Sequence, residues 1–195
     1  MIRAVALTCL LLSVDGFAME HAENPDLISA DGVGRIRLGR PVPKDLLPAD
    51  AQASYVAGYH ADAQPHEGFR LETPPVTVFL DRGPFLRAAR SEAVAAPRPA
   101  FGVQAMRAAK AGAKVRMILI ESAVLKTASG VGVGSDLKAL ESAYGDLRLF
   151  AVPPSFGGDE CTAQSASIPN VFFYFKTCEA AREGGTVVRV AIFRP

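Results

Sequence analysis

One pattern occurs twice in this chain, 95 residues apart. Gly34-Arg35-Ile36-Arg37-Leu38-Gly39 lies over Ser129-Gly130-Val131-Gly132-Val133-Gly134. The same shift puts Val76-Thr77-Val78-Phe79-Leu80 over Val171-Phe172-Phe173-Tyr174-Phe175. The first match is a short alternating strand that stops at a glycine, and the second is an apolar strand. Two such matches at one offset are what a duplicated supersecondary unit leaves in a sequence. A duplication constrains the fold strongly, because each element of one half needs a counterpart in the other. The halves fall at about residues 28–121 and 122–195.

In each half the closing glycine permits a tight turn with positive φ, and a helix start follows. Ser135 is expected to cap a helix through Asp136, Leu137, Leu140 and Tyr144 that stops at Gly145. In the first half Pro41 and Pro43 leave room for a single turn around Lys44, Asp45, Leu46 and Leu47 before Pro48. Further strands are predicted at 69–72, 76–80 and 114–121, and at 147–152, 171–176 and 187–193, with Arg189 and Arg194 on the wet face. A turn is expected from Cys178 to Gly185. Val115-Arg116-Met117-Ile118-Leu119 echoes Val188-Arg189-Val190-Ala191-Ile192 at 73 residues, which implies an insertion of about 22 residues between Asp81 and Gly112. The expected fold class is α+β: mainly antiparallel sheet with short helices, in two related strand-turn-helix-strand halves forming one globular domain over residues 19–195.

Residues 1–18 carry the order of a secretory signal: Arg3, then the apolar run Ala4 to Leu12, then Ser13 to Ala18 with small residues at the cleavage position. The apolar run is too short to cross a bilayer. Leu7 and Thr8 do not suit a lipidated Cys9, so lipid anchoring is not expected and a periplasmic location is. Loss of Cys9 with the signal leaves Cys161 and Cys178, an even pair that in an exported protein favours a disulfide over two free thiols.

The inserted stretch, 82–112, is basic. Arg82, Arg87, Arg90, Arg98, Arg107 and Lys110 face a single acid, Glu92. Two helical pieces are predicted, at 84–96 and 102–111, broken at Pro97 and Pro99. The segment reads either as a lid packed on the sheet by Phe85, Leu86 and Met106, or as a basic surface for an anionic envelope partner or lipid headgroup. Phe156 and Asp159 sit in a loop next to Cys161, and a pinned loop can pre-organise a contact surface. These eight residues are the partner-binding candidates.

Catalysis has little support in the sequence. There is no G-x-S-x-G, and after removal of the signal the histidines are His21, His60 and His66, without a recognised metal spacing. Gly130 to Ser135 lacks the lysine of a P-loop and the spacing of a dinucleotide fold. No cofactor or metal is expected. A formal net charge of +1 gives no field for a nucleic acid.

The signal segment, the glycine-punctuated strand, the short helix ending in Tyr144-Gly145 and the late cysteines Cys161 and Cys178 resemble the uncharacterised bacterial envelope proteins known as sigma-E-regulated lipoproteins. The likeness covers mainly Val115 to Phe193, and the chain departs from the family in lacking a lipobox. It implies a Gram-negative envelope setting and no catalytic residue. A second similarity is to tandem-repeat inhibitors of secreted enzymes, including the β-lactamase-inhibitor type. The function expected is therefore an exported, non-catalytic envelope protein that binds or inhibits a partner, a periplasmic protein or an anionic envelope component. The alternative is an envelope hydrolase acting on an anionic cell-wall substrate with Asp159 and Glu160 in a cleft.

Overall fold

The computed structural model describes residues 27–50, 54–60, 65–81, 99–152 and 160–194. The export signal, the helical piece expected at 84–96 and the loop from Pro153 to Asp159 lie outside the described residues. The strands are β1 (Leu27–Ser29), β2 (Gly32–Val33), β3 (Ile36–Arg37), β4 (Tyr55–His60), β5 (Pro65–Leu71), β6 (Val76–Leu80), β7 (Val115–Ile120), β8 (Lys126–Thr127), β9 (Arg148–Ala151), β10 (Cys161–Gln164), β11 (Val171–Phe175) and β12 (Arg189–Phe193). The helices are α1 (Pro99–Lys110), α2 (Leu137–Tyr144) and α3 (Cys178–Arg182), with a 3-10 turn at Lys44–Leu46. The class is α+β, as expected.

Eight strands form one antiparallel sheet in the order β4-β5-β6-β7-β12-β11-β10-β9. A small sheet, β3-β2-β1-β8, includes the parallel pair β1 and β8. The central strands are apolar on both faces. Val78, Leu80, Ile118, Ile120, Phe173, Val190 and Ile192 join one core with Ile28, Val33 and Ile36 of the small sheet and Leu137 and Leu140 of α2. Phe79, Met117, Leu119, Phe172, Tyr174 and Ala191 form a second cluster. A strand covered on both sides reads as a continuous apolar run, which is why 76–80 and 171–175 were legible in the sequence.

Several local expectations change. Strands β4 and β10 were not anticipated: Gly58 interrupts the first, and Thr162 lies between small residues in the second, so neither shows strong alternation. His60 and His66 accordingly lie on the paired strands β4 and β5, with Tyr59 opposite His66. Pro99 opens α1 instead of breaking a helix, in keeping with its tolerance in a first turn. The segment after Cys178 is helix α3, capped by the Thr177 side chain accepting from the Ala180 N–H. The cap of α2 is Asp136, whose Oδ1 accepts from Ala139 N at 2.8 Å, while Ser135 Oγ accepts from Gly132 N at 3.1 Å and ties down the preceding turn. Gly132 itself is held to glycine by close approach, since a Cβ there would lie 2.6 Å from the Leu125 carbonyl oxygen.

Matching hydrogen bonds join the small elements to the sheet. Gly39 N donates to Val115 O at 2.8 Å, and Val115 N donates to Arg40 O at 2.9 Å. Gly134 N likewise donates to Val187 O at 2.8 Å, and Val187 N to Ser135 O at 2.8 Å. Beside them stand the isolated bridges Pro41 to Lys114 and Asp136 to Thr186. Similar bonds close the ends of α1 and α3: Ala113 N donates to Ala108 O, and Gly185 N to Ala180 O. Each is preceded by a glycine in the left-handed region, Gly112 at φ 88° and Gly184 at φ 90°.

Candidate functional site

Of the eight partner-binding candidates, Arg107 and Lys110 are described; Arg82, Arg87, Arg90, Arg98, Phe156 and Asp159 lie outside the described residues. Helix α1 turns one side to the core, burying Ala105, Met106, Ala108 and Ala109. Val103, Arg107 and Lys110, spaced i, i+4 and i+7, occupy an exposed stripe. The two basic residues lie in the last turn, where they also complement the partial negative charge of the helix end.

Basic side chains continue past the helix. Lys114 and Arg116 are exposed at the start of β7, and Arg40 is exposed beside them, its carbonyl bonded to Val115 N. Between Glu92 and Glu121 the sequence holds no acid. Among the described residues Asp81 is an acid that folding brings beside Lys114, its backbone N–H donating to Lys114 O. Sequence reading confined the basic surface to 82–112 and missed Arg40, Lys114 and Arg116. Arg40 is distant in sequence, and the two others were assigned to a strand and given no further role.

The cysteines are joined. Cys161 at the start of β10 and Cys178 at the start of α3 form a disulfide with Cα atoms 4.8 Å apart. Nearby, Glu160 and Arg189 form an ion pair in which Arg189 Nη2 donates to Glu160 Oε2. The Arg189 guanidinium also lies 4.7 Å from the centre of the Tyr174 ring. Arg189 is therefore not on a fully wet face as expected; its side chain is 19% exposed. The Thr162 hydroxyl on the same face is buried without a hydrogen-bond partner among the described residues. Glu160, the residue before β10, is thus tied to Arg189 at the start of β12.

A cleft of about 540 Å³ lies elsewhere, between the 3-10 turn and the β5–β6 turn, lined by Asp45, Asp50, Ser54, Arg70 and Glu72 among others. Asp45 makes a bidentate pair with Arg35, at 2.6 and 3.0 Å, and this pair holds its carboxyl below the usual carboxylate range. Glu160 does not line this cleft. Among the described residues no group of three or more histidine, cysteine or acidic side chains is placed to hold a metal ion. Nor is any described helix long and apolar enough to cross a membrane.

No family model matches the chain, and no curated protein does. Among solved structures it is similar to the uncharacterized protein yfeY from Escherichia coli, with a TM-score of 0.48 and 12% sequence identity over 86% of this chain and 99% of that one.

Proposed function

We propose that this is an exported envelope protein that acts by binding a partner rather than by catalysis, and that it is built from two related halves sharing one sheet. The disulfide fits an oxidising compartment. The observation that carries the binding role is the exposed basic stripe of α1, fixed to the core by its buried alanines and Met106. A rigid platform of this kind presents charge without the entropy cost of ordering it on contact. Glu160, the described member of the acid pair that a hydrolase would use, is engaged by Arg189.

The relation between halves rests on the matching hydrogen bonds. Residues 39–41 correspond to 134–136 at the shift of 95, and residues 106–120 correspond to 178–192 at a shift of 72, one less than the 73 of the sequence echo, so the extra residues of the first half number 23 and fall between β6 and the end of α1. Under this correspondence Leu119 and Ala191 are equivalent and also face each other in the β7–β12 pair. The approximate two-fold axis therefore passes between them.

Affinity capture tests the binding role, using the mature protein with its disulfide intact against periplasm and envelope extracts, beside the variant Arg107→Ser/Lys110→Ser. A specific partner retained by the parent protein and lost by the variant is expected. Equal retention by both proteins overturns the assignment of this surface.

A further inference from the structure

We infer that the basic surface formed by Arg40, Arg107, Lys110, Lys114 and Arg116 docks on an anionic phospholipid membrane, an inference that rests on the binding role above and names its partner. Internal correspondence separates what the fold needs from what it does not. At equivalent backbone positions the second half carries Ser135 for Arg40, Glu179 for Arg107, Arg182 for Lys110, Thr186 for Lys114 and Val188 for Arg116. The same glycine turns, the same strand starts and the same helix end thus form there with one basic residue and one acid. Under this correspondence the backbone elements form without the positive charge, which leaves the charge of the first half available for binding.

The distribution of the charge points to a membrane rather than to a single anion. The five side chains come from three elements, the turn after β3, the last turn of α1 and the start of β7, and none of them lines the cleft between the 3-10 turn and the β5–β6 turn. Dispersed exposed charge matches a plane of many phosphates, to which Arg40, Arg107, Lys110 and Lys114 each add attraction, while Arg116 also interacts within the protein. Val103, 49% exposed on the same helical stripe as Arg107 and Lys110, supplies an apolar contact at the headgroup boundary. Asp81 stands at the margin and opposes the attraction by one charge.

The test is co-sedimentation of the full mature chain with phosphatidylcholine vesicles containing phosphatidylglycerol, against vesicles of phosphatidylcholine alone. The variant Arg40→Ser/Lys114→Thr/Arg116→Val places in the first half the residues that the second half carries at the same backbone positions, so it is expected to keep the parent thermal midpoint. Partitioning to anionic vesicles is expected at low salt, with weakening in 0.5 M salt and a loss of at least about 25-fold in the variant, at about five-fold for each of Arg40 and Lys114. Absence of vesicle binding by the parent protein, binding equal in the variant, or binding of inorganic phosphate in place of vesicles would overturn the inference. Failure here with a captured protein partner still lost in Arg107→Ser/Lys110→Ser removes the membrane and leaves the binding role standing. Loss of both removes the binding role as well.

Discussion

Reduction of the Cys161–Cys178 bond should lower stability by about 3 kcal/mol. The cysteines are 17 positions apart and close a loop that contains β11. In the chain-entropy description, cross-linking a loop of this length removes about 11 cal/mol/K from the unfolded ensemble, which is about 3 kcal/mol at 25 °C. The folded state loses little else, since Cys161 is fully buried and thiols remain good apolar fillers. For a chain of this size each kcal/mol moves the midpoint by roughly 2–4 °C, so a decrease of about 6–12 °C is expected. Calorimetry of the mature protein with and without reductant, and of the double variant Cys161→Ala/Cys178→Ala, measures it. A midpoint that moves by less than about 2 °C, with native spectra in both forms, would refute the claim that the cross-link constrains the unfolded chain.

Three further outcomes follow from named contacts. Glu160→Gln leaves the partly buried Arg189 without its carboxylate and should cost about 1–3 kcal/mol in urea unfolding, whereas Glu160→Gln combined with Arg189→Met should recover part of that loss. Gly39→Ala and Gly134→Ala each force a side chain into a left-handed conformation at φ 72° and 87° with no neighbour within 4 Å, so each should cost roughly 1–2 kcal/mol; costs differing several-fold would argue against equivalent turns. Asp45 has its folded pKa depressed by Arg35, so its contribution is present above the unfolded carboxylate value and is lost as pH falls through the lower folded value. A carboxyl titration by NMR should therefore show the Asp45 midpoint rising toward the ordinary range in Arg35→Gln, and an unchanged midpoint would disprove the pairing as its cause.

The elements legible in the sequence were those whose patterns are local or doubly buried. Helix α2 showed apolar spacing and a glycine stop, and β6 and β11 showed continuous apolar runs. Strand β10 was illegible because its burial comes from neighbours on both sides rather than from its own composition. The choice of Asp136 over Ser135 as cap could not be read, since both side chains satisfy the same chemistry and the geometry of Gly132 decides between them. Arg189 looked like a solvent-facing residue because its partner Glu160 lies 29 positions away. The basic surface was only half visible for the same reason: Arg40 reaches Lys114 through the bonds at Val115, a contact between distant segments.

The most direct measurement is an amide-resolved NMR titration of the mature protein with bicelles containing phosphatidylglycerol. Shifts are predicted at Arg40, Arg107, Lys110, Lys114 and Arg116, with much smaller changes at the matching backbone positions Ser135, Glu179, Thr186 and Val188. Equal shifts in the two sets, or shifts confined to the second, would contradict the assignment of binding to the charged surface of the first half.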